Sequence, residues 1–368
     1  MDDVAIIGAG PVGLCLAVLL AQRGKSVRVF EQRSAPSSHS RAIGLHPPAQ
    51  RILDVAGVGR QAQEQGVPIM RGLGISRGRI VGSMDFGVVG GSYPQILSLP
   101  QAATEDLLRE RLAQLAPGAL SVGCAFERVL DASEPHVEFT AGGATHSARW
   151  LVGADGVHST VRTQLAAAFT GKEHQDHYSM GDFPDATDLR HTAALFLHSS
   201  GIVESFPLPG GLRRWVVRTG GGGPSRGTAQ QLAQDVARRT GFIVDPEDCS
   251  MFSEFATASR FVSSMVHGRV VLLGDAAHQI SPIGGQGLCL GLADAQRFSE
   301  VVAGVRQVEG FSTMQLRAAR AAAHRARLNM FLGRPVPSWM LPLRDAVFQL
   351  ASSTPRIHDA VARSFTMS

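Results

Sequence analysis

The sequence is poor in cysteine and has no block of like charge. Its four cysteines, Cys15, Cys124, Cys249 and Cys289, form no CxxC pair and no metal-ligand spacing. They give neither a disulfide framework nor a metal site, and they suit a reducing cytoplasm. The arginines behind the net charge of +4 are scattered along the chain, so the charge reads as a mildly basic surface and gives no support to a nucleic-acid partner. No internal repeat is visible. One uncharged run, Val4 to Ala21, is long enough to pass for a signal or membrane segment. Its flank, Met1-Asp2-Asp3, is acidic where a signal peptide carries positive charge, and Gly8, Gly10, Pro11 and Gly13 break the run into a strand, a turn and a helix. No other stretch is suited to span a bilayer, so a cytoplasmic location is expected.

What remains is a globular composition. The 368 residues, 44% hydrophobic and 18% charged, can bury one large core or two modest ones. Val4-Ala5-Ile6-Ile7 reads as a strand, Gly8-Ala9-Gly10-Pro11-Val12-Gly13 as a turn, and Leu14 to Arg23 as a helix ended by Gly24. Val27-Arg28-Val29-Phe30 is a second strand, closing on Glu31 with Gln32 beside it. This GxGxxG stands between a strand and a helix, and an acid ends the next strand, which predicts a dinucleotide site. Its glycines serve a tight turn, close approach of backbone to a pyrophosphate, and close packing of helix on strand, while Glu31 can accept hydrogen bonds from an adenosine ribose.

A second stretch runs from Arg269 to Asp294. Val270-Val271-Leu272-Leu273 is a continuous apolar run, the pattern of a strand buried on both faces, and it stops at Gly274-Asp275,. Asp275 is thereby expected at a strand's carboxyl end, where open α/β sheets place their ligands. Gly284-Gly285-Gln286-Gly287 follows Pro282 and opens a helix that Leu288, Leu290, Leu292 and Ala293 continue. Such an N-terminus suits an anion or a polarised carbonyl edge.

Together, Gly274-Asp275-Ala276-Ala277-His278, Pro282, Gly284-Gly285-Gln286-Gly287 and the Gly-rich start resemble the single-component FAD monooxygenases, the p-hydroxybenzoate hydroxylase family. The resemblance implies that Asp275 holds the ribityl chain of FAD. It also implies that the backbone from Pro282 through Gly285, Gly287, Leu288 and Cys289 lies along the isoalloxazine. Ser281 stands where a first proline is common, and Cys289 where asparagine is common. Arg41, in Arg41-Ala42-Ile43-Gly44-Leu45, matches an arginine that contacts FAD in the family, although loops also carry solvated arginines freely. Gln101 matches a residue at the ribityl region. Asp155-Gly156, with Arg162 after it, resembles the family's DG motif, linked to FAD and nicotinamide contacts. Asp155 can order this turn or cap the helix at 158 to 166, and Arg162 is placed to meet a phosphate.

The rest of the chain reads more coarsely. Pro47 to Val55, an amphipathic helix from Gln101 carrying Leu107, Leu108 and Leu112 on its buried stripe, Ala229 to Thr240, Gly287 to Val305 and Ser312 to Leu332 are expected helices,. Leu120 to Val122, Phe126 to Leu130 and Val137 to Phe139 are expected to form a small antiparallel unit. Gly220 to Gly223 is a turn, and Trp339 to Ala362 reads as a helical tail. Arg213, Arg214 and Arg218 either meet an acidic substrate or lie on a solvated face. The expected class is α/β: a Rossmann-like FAD-binding domain (1–70 with 97–175 and 265–333), an inserted β-rich substrate domain (71–96 with 176–264) and a C-terminal helical tail (334–368).

The function implied by the resemblance is an FAD-dependent monooxygenase. NAD(P)H, either NADPH or NADH, reduces the FAD, O₂ forms a flavin C4a-hydroperoxide, and one oxygen atom passes to an aromatic or polycyclic small molecule by hydroxylation, epoxidation or Baeyer-Villiger oxidation. With one dinucleotide fingerprint, the nicotinamide must bind without a Rossmann domain of its own. No catalytic side chain is expected, His278 is taken for a turn residue, and Tyr93 and Tyr178 are the only tyrosines available to help ionise a phenol. The alternatives are a flavin-dependent halogenase, whose WxWxIP motif Trp150, Trp215 and Trp339 do not form, and a non-catalytic FAD-binding sensor.

Overall fold

A computed structural model describes residues 1–35, 42–133, 135–220 and 227–367. Its first sheet is built on strand Asp2–Ile7, which lies between Val27–Glu31 and Ala144–Gly153, parallel to both. Val270–Leu272 extends the parallel set on one side and Leu120–Val122 on the other. The strand Leu120–Val122 therefore belongs to the parallel edge, where Val29 pairs with Leu120, and not to the expected antiparallel unit. A short apolar run flanked by turns carries no mark of its partner's direction. The antiparallel unit consists of Phe126–Asp131 and Val137–Ala141, paired to the N-terminal half of Ala144–Gly153.

The second sheet is antiparallel except at one pair. Its order is His278–Gln279, Met251–Val262, Phe169–Pro184, Leu212–Gly220, Gly201–Leu208, Ala193–His198, Arg71–Ser76 and Arg79–Asp85. Ala193–His198 and Arg71–Ser76 form the parallel pair, so the β-rich residues 71–85 join this sheet although far away in sequence. The short strand His278–Gln279 follows the Asp275 turn and pairs with Arg260 and Phe261. The Asp275 turn thus joins the two sheets.

Helix Pro11–Gln22 is buried from Pro11 to Leu20, apart from Val12. It is apolar all round because it lies between the first sheet and the helices Gln286–Val302 and Gln101–Leu115,. Full burial of Leu14, Leu16, Leu19 and Leu20 contributes about 1.5–3 kcal/mol each. Ala229–Thr240 covers one face of the second sheet through Leu232 and Val236, which pack on Phe183, Trp215 and Val217. Its start is a capping box between Thr228 and Gln231, and its end is Gly241 at φ 83°,.

The expected C-terminal helical tail is two helices, Leu341–Ser353 and Pro355–Thr366. Pro355 accounts for the break, since it lacks an N–H and disfavours helical backbone at Thr354, whose ψ is 106°,. No helix among the described residues is long and apolar enough to cross a membrane. The Val4 to Ala21 run is a strand and a helix of the first sheet's layer.

Candidate functional site

Close backbone contacts bring the sequence motifs to one cleft. Gly8 has φ +104°, and a Cβ there would stand 2.5 Å from the Ala154 carbonyl oxygen, so the first turn lies directly on the Ala154-Asp155 turn. Gly13 lies against the Gly8 carbonyl, where a Cβ would come to 2.1 Å. Val12 reaches across to the Asp275 turn: a Cβ on Gly274 would stand 3.1 Å from its Cγ2, and one on Gly291 2.5 Å. The glycines are therefore needed for contact between motifs, and not only for turn geometry. Pro11 opens the helix at its N1 position, with Gly10 as an extended cap at φ −75°,.

Glu31 holds this turn. One carboxylate oxygen accepts from Ala9 N at 2.8 Å, and the other from Arg33 N at 3.0 Å and Arg33 Nε at 2.9 Å. Burial raises the Glu31 pKa, but the Arg33 and Ala9 hydrogen bonds outweigh it and hold the carboxyl below its ordinary value,. Gln32 next to it is exposed. Gln101 donates from its side chain to the Glu105 carboxylate at 2.8 Å, and its backbone N–H donates to Ala42 O at 3.0 Å. Arg41 lies outside the described residues, as does the expected 220–223 turn from residue 221 on.

The Asp155 carboxylate caps the helix Thr160–Gln164 through Oδ2, which accepts from Thr160 N at 2.8 Å and Val161 N at 3.1 Å. Among the described residues its Oδ1 is buried without a partner. Arg162 does not stand ready for a phosphate. It is 8% exposed, donates to Ala276 O at 3.0 Å and Val157 O at 2.7 Å, and stacks over the Phe169 ring at 4.0 Å. The guanidinium is spent on tying the DG turn to the Asp275 turn.

Asp275 is exposed to the cleft although the walls around it are dense. Those walls push its carboxyl pKa upward, with His278 opposing and Asp294 reinforcing. Behind Asp275 sits a buried network that sequence reasoning missed. Asp294 accepts from Gly274 N at 3.0 Å, His278 Nε2 at 2.6 Å and Gln315 Nε2 at 2.6 Å. His278, expected as a simple turn residue, is 1% exposed and paired in this network. The visible signal was an acid on the buried stripe of its helix, between Gly291 and Phe298.

Helix Gln286–Val302 begins at Gly285, φ +66°, and no side chain caps it. Among the described residues its first N–H groups, at Gln286, Gly287 and Leu288, have no side-chain acceptor, and Pro282 before them is exposed,. His46, a second residue missed in the sequence, braces this segment: its Nε2 is 3.0 Å from Gly284 O, and its backbone N–H donates to Cys289 Sγ at 3.4 Å. Burial drives the His46 pKa down to about 4, so the ring is neutral. Phe365 of the tail lies 5.8 Å from the His46 ring and accepts through its carbonyl from Gln286 Nε2 at 3.2 Å, so the tail closes over the helix start.

Burial pushes the Cys289 thiol up to about 12, which leaves it protonated,. We expect Cys289→Ala and Cys289→Asn to retain flavin and activity within a few fold, and heat to release free flavin from the parent. Flavin that stays on the denatured chain would show a thioether link and contradict this.

The arginines of the second sheet neither meet solvent nor stand free for a substrate. Arg213 pairs with Asp185, just past the end of strand Phe169–Pro184, at 3.0 Å, while Arg214 pairs with Asp182 at 2.6 Å and Arg218 with Asp176 at 2.8 Å within the sheet. The Tyr93 hydroxyl bonds Asp54 at the surface, whereas Tyr178 is buried between Met180, Val216, Ile283 and Met330, stacked on Phe255 at 5.4 Å. Ile283 belongs to the segment that leads into helix Gln286–Val302, so this aromatic and apolar face lies next to the helix start.

A Rossmann-like turn, an acidic turn at a strand end and an uncapped helix N-terminus meeting in one cleft define a dinucleotide-type flavoprotein. The chain belongs to the FAD binding domain family, whose match covers residues 1–327. It is 33% identical over 311 residues to 6-methylpretetramide 4-monooxygenase of Streptomyces rimosus, covering 82% of this chain and 56% of that protein. It is 27% identical over 330 residues to para-nitrophenol 4-monooxygenase of Pseudomonas sp. (strain WBC-3), covering 86% and 81%. The solved structure of OxyS anhydrotetracycline hydroxylase from Streptomyces rimosus matches with a TM-score of 0.80 and 27% identity, over 100% of this chain and 76% of that one. The chain thus spans 56%, 60% and 62% of the length of several curated relatives.

The residues present fit FAD. Among the described residues, Gly10 has open space within 4 Å of where a Cβ would stand, the helix at Gln286 lacks a side-chain cap, and Asp155 keeps a buried oxygen unpartnered. We expect Asp275→Ala to weaken FAD retention roughly ten- to a hundredfold, since a charge-assisted hydrogen bond is worth about 1.5–3 kcal/mol. Equilibrium dialysis of the folded variant checks this, and unchanged retention would leave Asp275 only a turn-shaping role.

Proposed function

We propose that this protein is an FAD-dependent monooxygenase that uses NAD(P)H and O₂ to oxygenate an aromatic or polycyclic small molecule. The observation that carries the reading is the pairing of two surfaces: the cleft of Gly10, Asp275 and the Gln286 helix start, and beside it the aromatic and apolar face of Tyr178, Met180, Val216 and Phe255. Bound FAD would supply hydride acceptance from NAD(P)H and activation of O₂. The chain's own residues do the rest. The turn from Gly8 to Gly13 and Glu31 take the pyrophosphate and adenosine end, and Asp275 and Gln101 take the ribityl region. The backbone from Pro282 to Cys289 would hold the ring, where the helix N-terminus would favour the negative charge that reduction brings. The apolar face excludes water.

Kinship with 6-methylpretetramide 4-monooxygenase and para-nitrophenol 4-monooxygenase favours this reading over a halogenase. The tryptophans lie apart: Trp150 packs on Phe298, Trp215 sits in the second sheet's core, and Trp339 is 78% exposed. Cys15, Cys124, Cys249 and Cys289 are all free thiols, which suits a reducing compartment, and cytoplasmic placement is part of the same reading,. The test is oxygen-dependent NAD(P)H consumption by the FAD-loaded protein, with NADH and NADPH compared, across a panel of phenols and polycyclic aromatics. Consumption that rises with a substrate and yields an oxygenated product supports the proposal. FAD bound without any substrate-stimulated turnover would favour a sensor, and recovery of FMN in place of FAD would overturn the cofactor assignment.

A further inference from the structure

Two buried polar groups on one face of the second sheet have no partner. Tyr178 is 1% exposed, and its hydroxyl makes no hydrogen bond among the described residues. Glu204 is 8% exposed, and its carboxyl has neither a hydrogen bond nor an ion pair among them. A buried acid left in this state is costly, and a position with only a packing role would be apolar.

Strand alternation fixes which way they face. Val203 and Val217 pack beneath the helix Ala229–Thr240, so Glu204 and its cross-strand partner Val216 face the opposite way. On that side Val216 and Tyr178 meet Ile283 and Met330, next to the segment leading to the Gln286 helix start. Met180 stands opposite Val216, and Val216 opposite Glu204, with Tyr178 two residues before Met180 on its strand, so three adjacent strands carry the two groups on this face. The other charges near them are already paired. Asp176 is held by Arg218 at 2.8 Å and by Arg334 at 2.9 Å, and Asp182 by Arg214 at 2.6 Å. On the neighbouring strand, the residue opposite Glu204 is Leu195.

We propose that Glu204 is the proton acceptor, and Tyr178 the hydrogen-bond donor, for an ionisable hydroxyl of the substrate, a phenol or an enol; this rests on the monooxygenase reading above. The substrate O–H bond breaks, its proton passes to a Glu204 carboxylate oxygen, and the electron pair stays on the substrate oxygen. The Tyr178 O–H donates to that oxyanion. No oxidation accompanies the step, and the electron-rich ring it leaves is the form that accepts an electrophilic oxygen. Burial raises the Glu204 carboxyl to about 7 and raises the Tyr178 phenol well above its ordinary value. At neutral pH the first can therefore take a proton, and the second can only donate.

The experiment titrates the FAD-loaded protein with 4-nitrophenol, without NAD(P)H, from pH 6 to pH 9, and reads binding from the difference spectrum. In the parent, affinity falls as pH rises above about 7, because a carboxylate and a phenolate then face each other. Glu204→Gln binds the probe with little pH dependence and is roughly tenfold tighter than the parent at the alkaline end. Tyr178→Phe weakens binding roughly tenfold at every pH. In turnover with a phenol, Glu204→Gln slows oxygenation roughly a hundredfold with FAD content intact, and Glu204→Asp recovers part of the rate. Coincident pH profiles for parent and Glu204→Gln, no binding of the phenol, or unchanged turnover in Glu204→Gln would overturn the proposal. A parent that binds the probe with the expected pH profile yet consumes no O₂ would overturn the monooxygenase reading while leaving the proton-accepting site in place.

Discussion

Replacing Asp294 by alanine is expected to lower the stability of the folded protein by about 3–5 kcal/mol, the usual cost of removing one partner of a buried charge pair. Asp294 is 1% exposed and accepts from Gly274 N, His278 Nε2 and Gln315 Nε2. Alanine leaves those three donors buried with nothing to bond. The effect reaches the site, because Gly274 N is the donor that fixes the turn carrying Asp275, so FAD retention falls along with stability.

A pH signature separates this from a simple cavity. Burial lowers the His278 pKa, but the charge and hydrogen bond of Asp294, helped by the charge of Asp275, outweigh burial and hold it above its ordinary value. A raised histidine contributes stability that is fully present below the unfolded value of about 6.5 and is lost as pH rises through the folded value. Urea unfolding of the parent should thus show stability declining above pH 6.5 from this source, and Asp294→Ala should flatten that decline. A variant as stable as the parent at both ends of the range would contradict the role given to the network.

How far the sequence disclosed this arrangement depends on whether the signal was local. The turn from Gly8 to Gly13, the strand at Val270 and the helix Ala229–Thr240 were legible because steric needs, continuous apolar runs and caps act within a few residues of themselves. The pairing of Arg213 with Asp185, Arg214 with Asp182 and Arg218 with Asp176 was not. Strand alternation says which face a side chain takes, not what stands opposite it in the folded sheet. The same limit hid the direction of Leu120–Val122 and turned Arg162, a plausible phosphate contact, into a buried tie to Ala276. Asp294 and Glu204 were visible as acids inside apolar patterns. Their partners, or lack of them, could be known only once helix and sheet faces were assigned.

The glycines of the first turn give the second large effect, because two of them are expected to fail in different ways. A Cβ at Gly13 would come 2.1 Å from the Gly8 carbonyl oxygen and 3.3 Å from Ile6 Cγ2, with no flexible side chain in the first position to yield. Helix Pro11–Gln22 must then shift off the strand, which costs about 1–3 kcal/mol or more in overpacking. The shift moves the backbone meant for the pyrophosphate, and FAD retention should fall roughly a hundredfold, or about 2.7 kcal/mol. Gly10 is the contrasting case. Its φ of −75° is open to any residue, and a Cβ there meets nothing within 4 Å among the described residues. Gly10→Ala should therefore leave the flavin-free protein as stable as the parent while weakening FAD retention to a similar degree, since the methyl group enters space that a pyrophosphate requires. Thermal unfolding of the flavin-free proteins, together with dialysis against FAD, resolves the two. If Gly10→Ala binds FAD as the parent does, the cofactor approaches this turn from another side, and the assignment of the cleft beside Gly10 fails.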